Sequence, residues 1–393
     1  MTKYYKYGQN IVKTLLDLGY QAFFVGGFVR DYLLGIDVSD IDITTNATPN
    51  EVEKIFKETK ATGVKFGTIT VFLRGYQYEV TTFRTEGKYI NYRKPENVSF
   101  AKSLEEDLKR RDFTINGLAM DISNKIIDLF NGKEDLDNRI IRSIGNPDIR
   151  FKEDALRILR AFRFVSKLGF NIEENTLISI KKNMNLLTKI PIERVMIEIK
   201  KIFSNFNYIK TISLMNEANI EQAFPELKKG INLLSSMDNY SLSYLEFFSL
   251  CFYLNKKGIP EKWRFSNKEL SIINNIIELI NLVKNNKFNE EIIYRFGMDI
   301  SLSANNILRI FDSSKNQEKE IINIYKKLPI YGKNDLVFKG RDILKITSFS
   351  NLETIGSIID DLEKQVVTGK LPNHYSSLKK YVLDLLETKY GKR

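Results

Sequence analysis

Over roughly the first 145 residues, apolar positions come in short runs and alternations. Beyond that they settle into a spacing of three to four that persists to the end of the chain. The first pattern predicts mixed strands and helices, the second helices alone. A helix near 9–18 precedes an apolar strand at 20–25. Gly26-Gly27 then opens a helical stretch at 28–34, Gly35 closes it, and a short strand follows at 41–45. In "ATPNEVEKIF" Thr48 is the expected N-cap, Pro49 the first helical residue and Glu51 the partner in a capping box. "TITVFL" (68–73) and "YQYEVTTF" (76–83) read as strands joined at Arg74-Gly75, a hairpin signal.

Residues 84–100 read as a polar loop without regular pattern. "SLEEDLKRRDFTINGLAMD" reads as a helix leading to a short strand, and "NKIIDLFNGKEDLDNRII" as strands around a turn. From Asn146 onward the segments 153–169, 174–187, 192–206, 267–283 and 351–369 carry helical spacing. The expected class is therefore α+β, a small mixed head followed by a long all-α remainder.

Composition narrows the function. At 393 residues, 43% hydrophobic and 28% charged, the chain reads as an ordinary soluble protein with room for two to four domains. Its longest apolar run, 245–254, is broken by Glu246 and too short to span a bilayer, so no membrane partner is expected. "MTKYYKYGQN" lacks the apolar core of a secretory signal. The one cysteine, Cys251, rules out an internal disulfide and favours the cytoplasm. With His374 the one histidine, a His/Cys metal site is excluded and a histidine base is disfavoured. Residues 1–150 hold 22 Lys/Arg against 21 Asp/Glu, while residues 151–393 hold 38 against 28. The basic excess thus sits in the helical part, as expected if that part grips a polyanion.

Strand, glycine turn, helix, strand is a layout for handling phosphate. On a strand, Asp40 and Asp42 face one way and Ile41 and Ile43 the other. Like charges side by side call for a compensating cation, and Mg²⁺ held by carboxylates and substrate phosphates is the usual answer. A second Asp-x-Asp, Asp135/Asp137, reads as a solvated turn. Alternation in "YQYEVTTF" places Gln77, Glu79 and Thr81 opposite Tyr78 and Val80, making Glu79 a candidate third carboxylate, for metal or for the proton of an attacking hydroxyl.

"VGGFVRDYLLG…SDIDITT", "LKRRDFTINGLAMD" and "EDALRILRAFRF" together resemble the tRNA nucleotidyltransferase/poly(A) polymerase family, and within it the class II CCA-adding enzymes. "IPIERVMIEIKKI", "KGRDIL" and "VVTGKLPN" extend the likeness over essentially the whole chain. One departure is Gly117, where alanine is expected. The resemblance implies a polymerase-beta-like nucleotidyltransferase head at 1–145 and a helical neck at 146–206 that selects the nucleobase. A body at 207–330 and a tail at 331–393 would bind tRNA. It implies that Gly26, Gly27 and Arg30 meet the triphosphate of CTP or ATP, that Asp40 and Asp42 hold Mg²⁺, and that Arg110, Arg111 and Asp112 line the nucleotide pocket.

On one helix Asp154 and Arg157 would share a face. A carboxylate there accepts from an exocyclic amine and a guanidinium donates to ring acceptors, which suits cytosine and adenine but not guanine or uracil. Arg160 and Arg163 would extend the lining, and the 84–100 loop would help switch the pocket from C to A. Template-independent addition of C, C and A to the tRNA 3′ end, with contacts to the acceptor arm, is the implied activity. Rivals are A-only or CC-only addition, poly(A) synthesis, a drug-modifying transferase and a non-catalytic RNA-binding protein.

Overall fold

A computed structural model describes residues 3–38, 40–87, 89–90, 94–95, 98–101, 103–347 and 352–390. Helix α1 (Lys3–Asp17) leads into β1 (Ala22–Val25), α2 (Gly27–Leu33), β2 (Asp42–Thr45), α3 (Pro49–Ile55), β3 (Thr59–Gly63), β4 (Thr68–Leu73) and β5 (Tyr76–Thr82). The segment read as a patternless loop forms short strands instead: β6 (Arg84–Glu86), β7 (Tyr89–Ile90), β8 (Lys94–Pro95) and β9 (Val98–Phe100). β6 pairs with β9 and β7 with β8, so local backbone pairing organises a polar stretch that shows no hydrophobic alternation. Within it 88, 91–93 and 96–97 lie outside the described residues.

After α4 (Leu104–Lys109) come β10 (Leu118–Met120) and β11 (Ile126–Asp128). A seven-stranded sheet runs β11-β10-β1-β2-β5-β4-β3, with β2 and β5 parallel and the other neighbours antiparallel. Thr48 caps α3 in the expected box with Glu51. Arg74 and Gly75 both take positive φ, 54° and 82°, the twist a two-residue hairpin needs. Strand β1 alternates across the sheet. Phe24 packs on Tyr5 of α1, whereas Phe23 and Val25 join Phe83, Leu104 and Leu108 on the α4 side. Gly8 of α1 admits the sheet closely, since a Cβ there would lie 3.2 Å from the Phe24 ring.

The stretch 124–141 departs from strands around a turn: helix α5 (Gly132–Asp137) lies between β11 and β12 (Ile140–Ile141). Asp135, read as solvated, is buried, accepts from Thr114 Oγ1 at 2.6 Å and pairs with Arg142. Beyond it the helix expected over 153–169 is broken. α6 (Pro147–Glu153) ends at Asp154, whose φ of −132° and ψ of 102° are extended, and α7 (Leu156–Leu168) starts anew. Asp154 accepts from the Leu156 N–H at 3.1 Å, so its carboxylate favours the break through an Asx-turn. β13 (Asn171–Ile172) pairs with β12, and α8 (Glu174–Asn183), α9 (Ile192–Phe203), α10 (Tyr208–Glu217) and α11 (Lys228–Ser235) follow. These elements, with residues 259–264, form one compact unit spanning 1–239. Trp263 is fully buried there and donates to Glu226 at 2.7 Å, a core role.

A second unit comprises residues 240–258 and 265–393. It is helical: α12 (Tyr244–Asn255), α13 (Asn267–Val283), α14 (Glu290–Phe311), α15 (Glu318–Lys327), α16 (Gly340–Ile346), α17 (Leu352–Val367) and α18 (Tyr375–Tyr390). Capping boxes at Ser243/Glu246 and Ser266/Glu269 start α12 and α13. Gly297, at φ 78°, kinks α14. Among the described residues, no helix is long and apolar enough to cross a membrane.

Candidate active site

Three neighbouring strands set the floor of the site. In register, Val25 on β1 faces Asp42 on β2, and Asp42 faces Glu79 on β5. Residues in register share a face of a sheet, so Asp42 and Glu79 lie side by side at the point where β1 runs into the glycine turn. Gly26 has φ 67° and ψ −132°, a conformation open to glycine alone, and its carbonyl accepts from the Arg30 N–H. β2 begins at Asp42, so Asp40 precedes the strand rather than alternating along it. Asp40 is exposed and Asp42 partly buried. Burial pushes the Asp42 carboxyl up to about 6; Arg111 opposes the rise, while Glu79 and Asp40 add to it. Among the described residues no three His, Cys, Asp or Glu side chains gather closely enough to hold a metal by themselves.

Asp107 organises the wall above this floor. Fully buried on α4, it accepts from Arg110 Nη2 at 2.7 Å, Arg111 Nη2 at 3.2 Å and Thr44 Oγ1 at 3.4 Å. Burial alone would raise its carboxyl, but the charges of Arg111 and Arg110 and their hydrogen bonds hold it below the ordinary value. Arg111 is thereby held over the glycine turn, its Nη1 2.9 Å from where a Gly26 Cβ would stand. Asp107 was not among the residues the sequence singles out, although its spacing of three and four to the two arginines is the local signal for such pairs.

The α6–α7 junction forms the opposite wall. Asp154 and Arg157 do not share a helix face. Asp154 sits in the break, paired with Arg194 of α9 at 3.1 Å. Arg157, in the first turn of α7, pairs with Glu153 at 2.9 Å and donates Nη2 to the Arg110 carbonyl at 2.9 Å. Arg160 Nε donates to Asp112 at 2.7 Å. Burial would raise Asp112, but Arg160, the Asn116 amide and Arg157 bring it down to about 2. Arg30, 3% exposed, donates to Asp31 and, at 2.6 Å, to Asn116. Arg30, Arg160 and Arg163 all place guanidinium groups over the ring of Phe164, at 5.2, 5.5 and 5.7 Å.

All thirteen residues singled out as candidates (Gly26, Gly27, Arg30, Asp40, Asp42, Glu79, Arg110, Arg111, Asp112, Asp154, Arg157, Arg160 and Arg163) line one cleft of about 810 Å³. That volume admits a nucleoside triphosphate with room to spare. Sequence reasoning missed Arg194 and Phe164, which also line it. Nothing local could find Arg194, since its partner lies forty residues away. Gly117 has its own account: a Cβ there would stand 2.8 Å from Ile144 Cδ1, so the Ile144 side chain occupies the space an alanine methyl would take.

Comparison with known proteins places the chain in a family. Residues 22–142 match the family model of the poly A polymerase head domain. Residues 169–231 match that of the RNA and SrmB binding site of polymerase A, and 246–382 that of tRNA nucleotidyltransferase domain 2. The CCA-adding enzyme of Ligilactobacillus salivarius is 38% identical, with 96% of each chain covered. That of Enterococcus faecalis is 36% identical over 94% of this chain and 93% of its own. The crystal structure of the Bacillus stearothermophilus CCA-adding enzyme in complex with CTP superposes with a TM-score of 0.88 at 31% identity, covering both chains completely. The chain therefore belongs to the CCA-adding enzyme family of nucleotidyltransferases.

Proposed function

We propose that the protein adds C, C and A in turn to the 3′ end of tRNA, taking them from CTP and ATP without a template and releasing pyrophosphate. The observation that carries this reading is the single cleft joining a glycine turn, a row of carboxylates and an arginine-rich wall. Gly26 and Gly27 present backbone to the triphosphate, with Arg111 above them supplying positive charge. Arg30, being buried, contributes field and support through Asn116 more than direct contact. Glu79, exposed beside Asp42, is placed to receive the proton of the attacking 3′-hydroxyl.

The donor set fits a hard divalent cation. Asp40 and Asp42 both line the cleft and offer carboxylate oxygens, with Glu79 in register beside Asp42, so acidic groups converge there. Two carboxylate ligands suit Mg²⁺, which draws its remaining ligands from substrate phosphates and water. Bound there by Asp40 and Asp42, Mg²⁺ would stabilise charge on the attacking and leaving oxygens.

Base choice falls to Asp154 and Arg157, which line the cleft in positions fixed by Arg194 and Glu153. A fixed acceptor and a fixed donor pair with the N4 amine and N3/O2 of cytosine, or with N6 and N1 of adenine. We read residues 1–145 as the catalytic head and 146–206 as the base-selecting neck. The basic helical residues 207–330 and 331–393 then grip tRNA through its phosphates, and the action is placed in the cytoplasm.

The test offers tRNAs ending before CCA, after C and after CC, with CTP, ATP or both plus Mg²⁺, and reads products at single-nucleotide resolution. Completion of CCA from every start is expected. Extension of the CC end alone would make it an A-adding enzyme, and long A tracts a poly(A) polymerase.

A further inference from the structure

The cleft has an aromatic wall to which the nucleotide roles above assign no function. Phe66 closes a 3₁₀ turn, Val64–Phe66, just before β4, and its side chain lines the cleft while 44% exposed. Arg84, also lining the cleft, holds its guanidinium over this ring 5.7 Å from the centroid and donates Nη1 to the Phe66 carbonyl. Gly67, at φ 80°, turns the chain into β4, and a Cβ there would meet the Phe100 ring at 3.2 Å. The turn is pinned to β5 by the hydrogen bond between Thr68 Oγ1 and Thr81 Oγ1, 3.0 Å. An open aromatic face, fixed by its neighbours and backed by an arginine, is the usual form of a stacking platform for a nucleobase.

Its position says which base. Along the sheet the order is β1, β2, β5, β4. The glycine turn leaves β1, Asp42 lies on β2, Glu79 on β5, and Phe66 stands at the entrance to β4. In phosphoryl transfer the attacking oxygen enters roughly in line with, and opposite to, the leaving group. With the leaving pyrophosphate at the Gly26-Gly27 end, the attacker arrives from the β5–β4 side.

We propose that Phe66, backed by Arg84, stacks against the 3′-terminal base of the RNA being extended and so holds the terminal ribose beside Asp42 and Glu79. The inference rests on the reading of the cleft given above. Stacking tolerates every base, because each has a π face. That suits an RNA whose last base differs before the first addition and after it.

Kinetics with a tRNA lacking CCA test it, wild type first. An inactive wild type would overturn the reading of the cleft itself. With an active wild type, Phe66→Ala is expected to lower kcat/KM for tRNA by about tenfold while KM for CTP stays within about twofold. Phe66→Trp should recover most of the loss. A tRNA carrying 2-aminopurine as its last base should be quenched on binding wild type and not on binding Phe66→Ala. Because the ring is exposed, thermal unfolding of the Ala variant should match wild type. Unchanged tRNA kinetics and quenching in Phe66→Ala would overturn the proposal, as would a defect confined to KM for CTP.

Discussion

Arg111 covers Gly26. Its Nη1 lies 2.9 Å from the point a Gly26 Cβ would occupy, and the Asp42 Oδ2 lies 3.6 Å from the same point. The turn, the wall and the carboxylate floor thus meet beside Gly26. Gly26→Ala should fail twice: φ of 67° with ψ of −132° is strained for alanine, and the methyl displaces Arg111. A loss of roughly 1–3 kcal/mol in stability should accompany at least a hundredfold fall, as an order of magnitude, in kcat/KM for CTP. Denaturant unfolding and CMP incorporation measure the two separately.

Asp107 is the buried counter-charge for both arginines beside it. Removing one partner of a buried pair leaves charge uncompensated, so Asp107→Ala should cost about 3–5 kcal/mol. Asp107→Asn, which keeps the acceptor oxygen facing Arg110, should cost less. Equal losses in the two variants, read by urea denaturation, would show that the charge of Asp107 does not matter.

Acid behaviour follows from Asp112. Its folded value of about 2 lies below the roughly 3.9 of an unfolded aspartate. Its stabilisation is therefore fully present above about pH 4 and is lost as pH falls toward 2. The gap in unfolding free energy between wild type and Asp112→Asn should be roughly 2–3 kcal/mol at pH 7 and should shrink measurably by pH 3. A gap that stays constant across that range would detach the stabilisation from the charge.

Most of the head could be read from local patterns because local chemistry decides it. The Thr48–Glu51 box, the Arg74-Gly75 turn and the alternation around Glu79 depend on residues a few positions apart. The α6–α7 break escaped, because apolar spacing runs through it unbroken while a long-range pair, Asp154 with Arg194, and the Asx-turn to Leu156 reward the extended backbone. Helix α5 and buried Asp135 escaped for a related reason: Thr114, 21 residues before it, and Arg142, seven residues after it and beyond the helix, make burial of that carboxylate tolerable. Site membership was legible from motif chemistry, but who holds whom was not. The motifs name Arg110, Arg111 and Arg157; spacing of three and four offers Asp107 and Glu153 among several acidic partners, and the fold selects them.

Selection of C and A over U and G should respond to Asp154 more than to Arg157. Both side chains have partners, but Arg157 is the more buried, 8% exposed against 17% for Asp154, so Arg157→Ala should lower stability along with selectivity. Asp154→Ala should instead raise UTP incorporation relative to CTP, by about tenfold for the loss of one base-edge contact. Competition between CTP and UTP at one tRNA end reads this ratio.

The most direct test of the carboxylate floor is single-turnover CMP transfer by Asp42→Ala onto a tRNA lacking CCA, with tRNA affinity measured on the same preparation. Transfer should slow by roughly a thousandfold or more, with tRNA affinity close to wild type. Transfer at near wild-type rate by the folded variant would contradict the role given to Asp42.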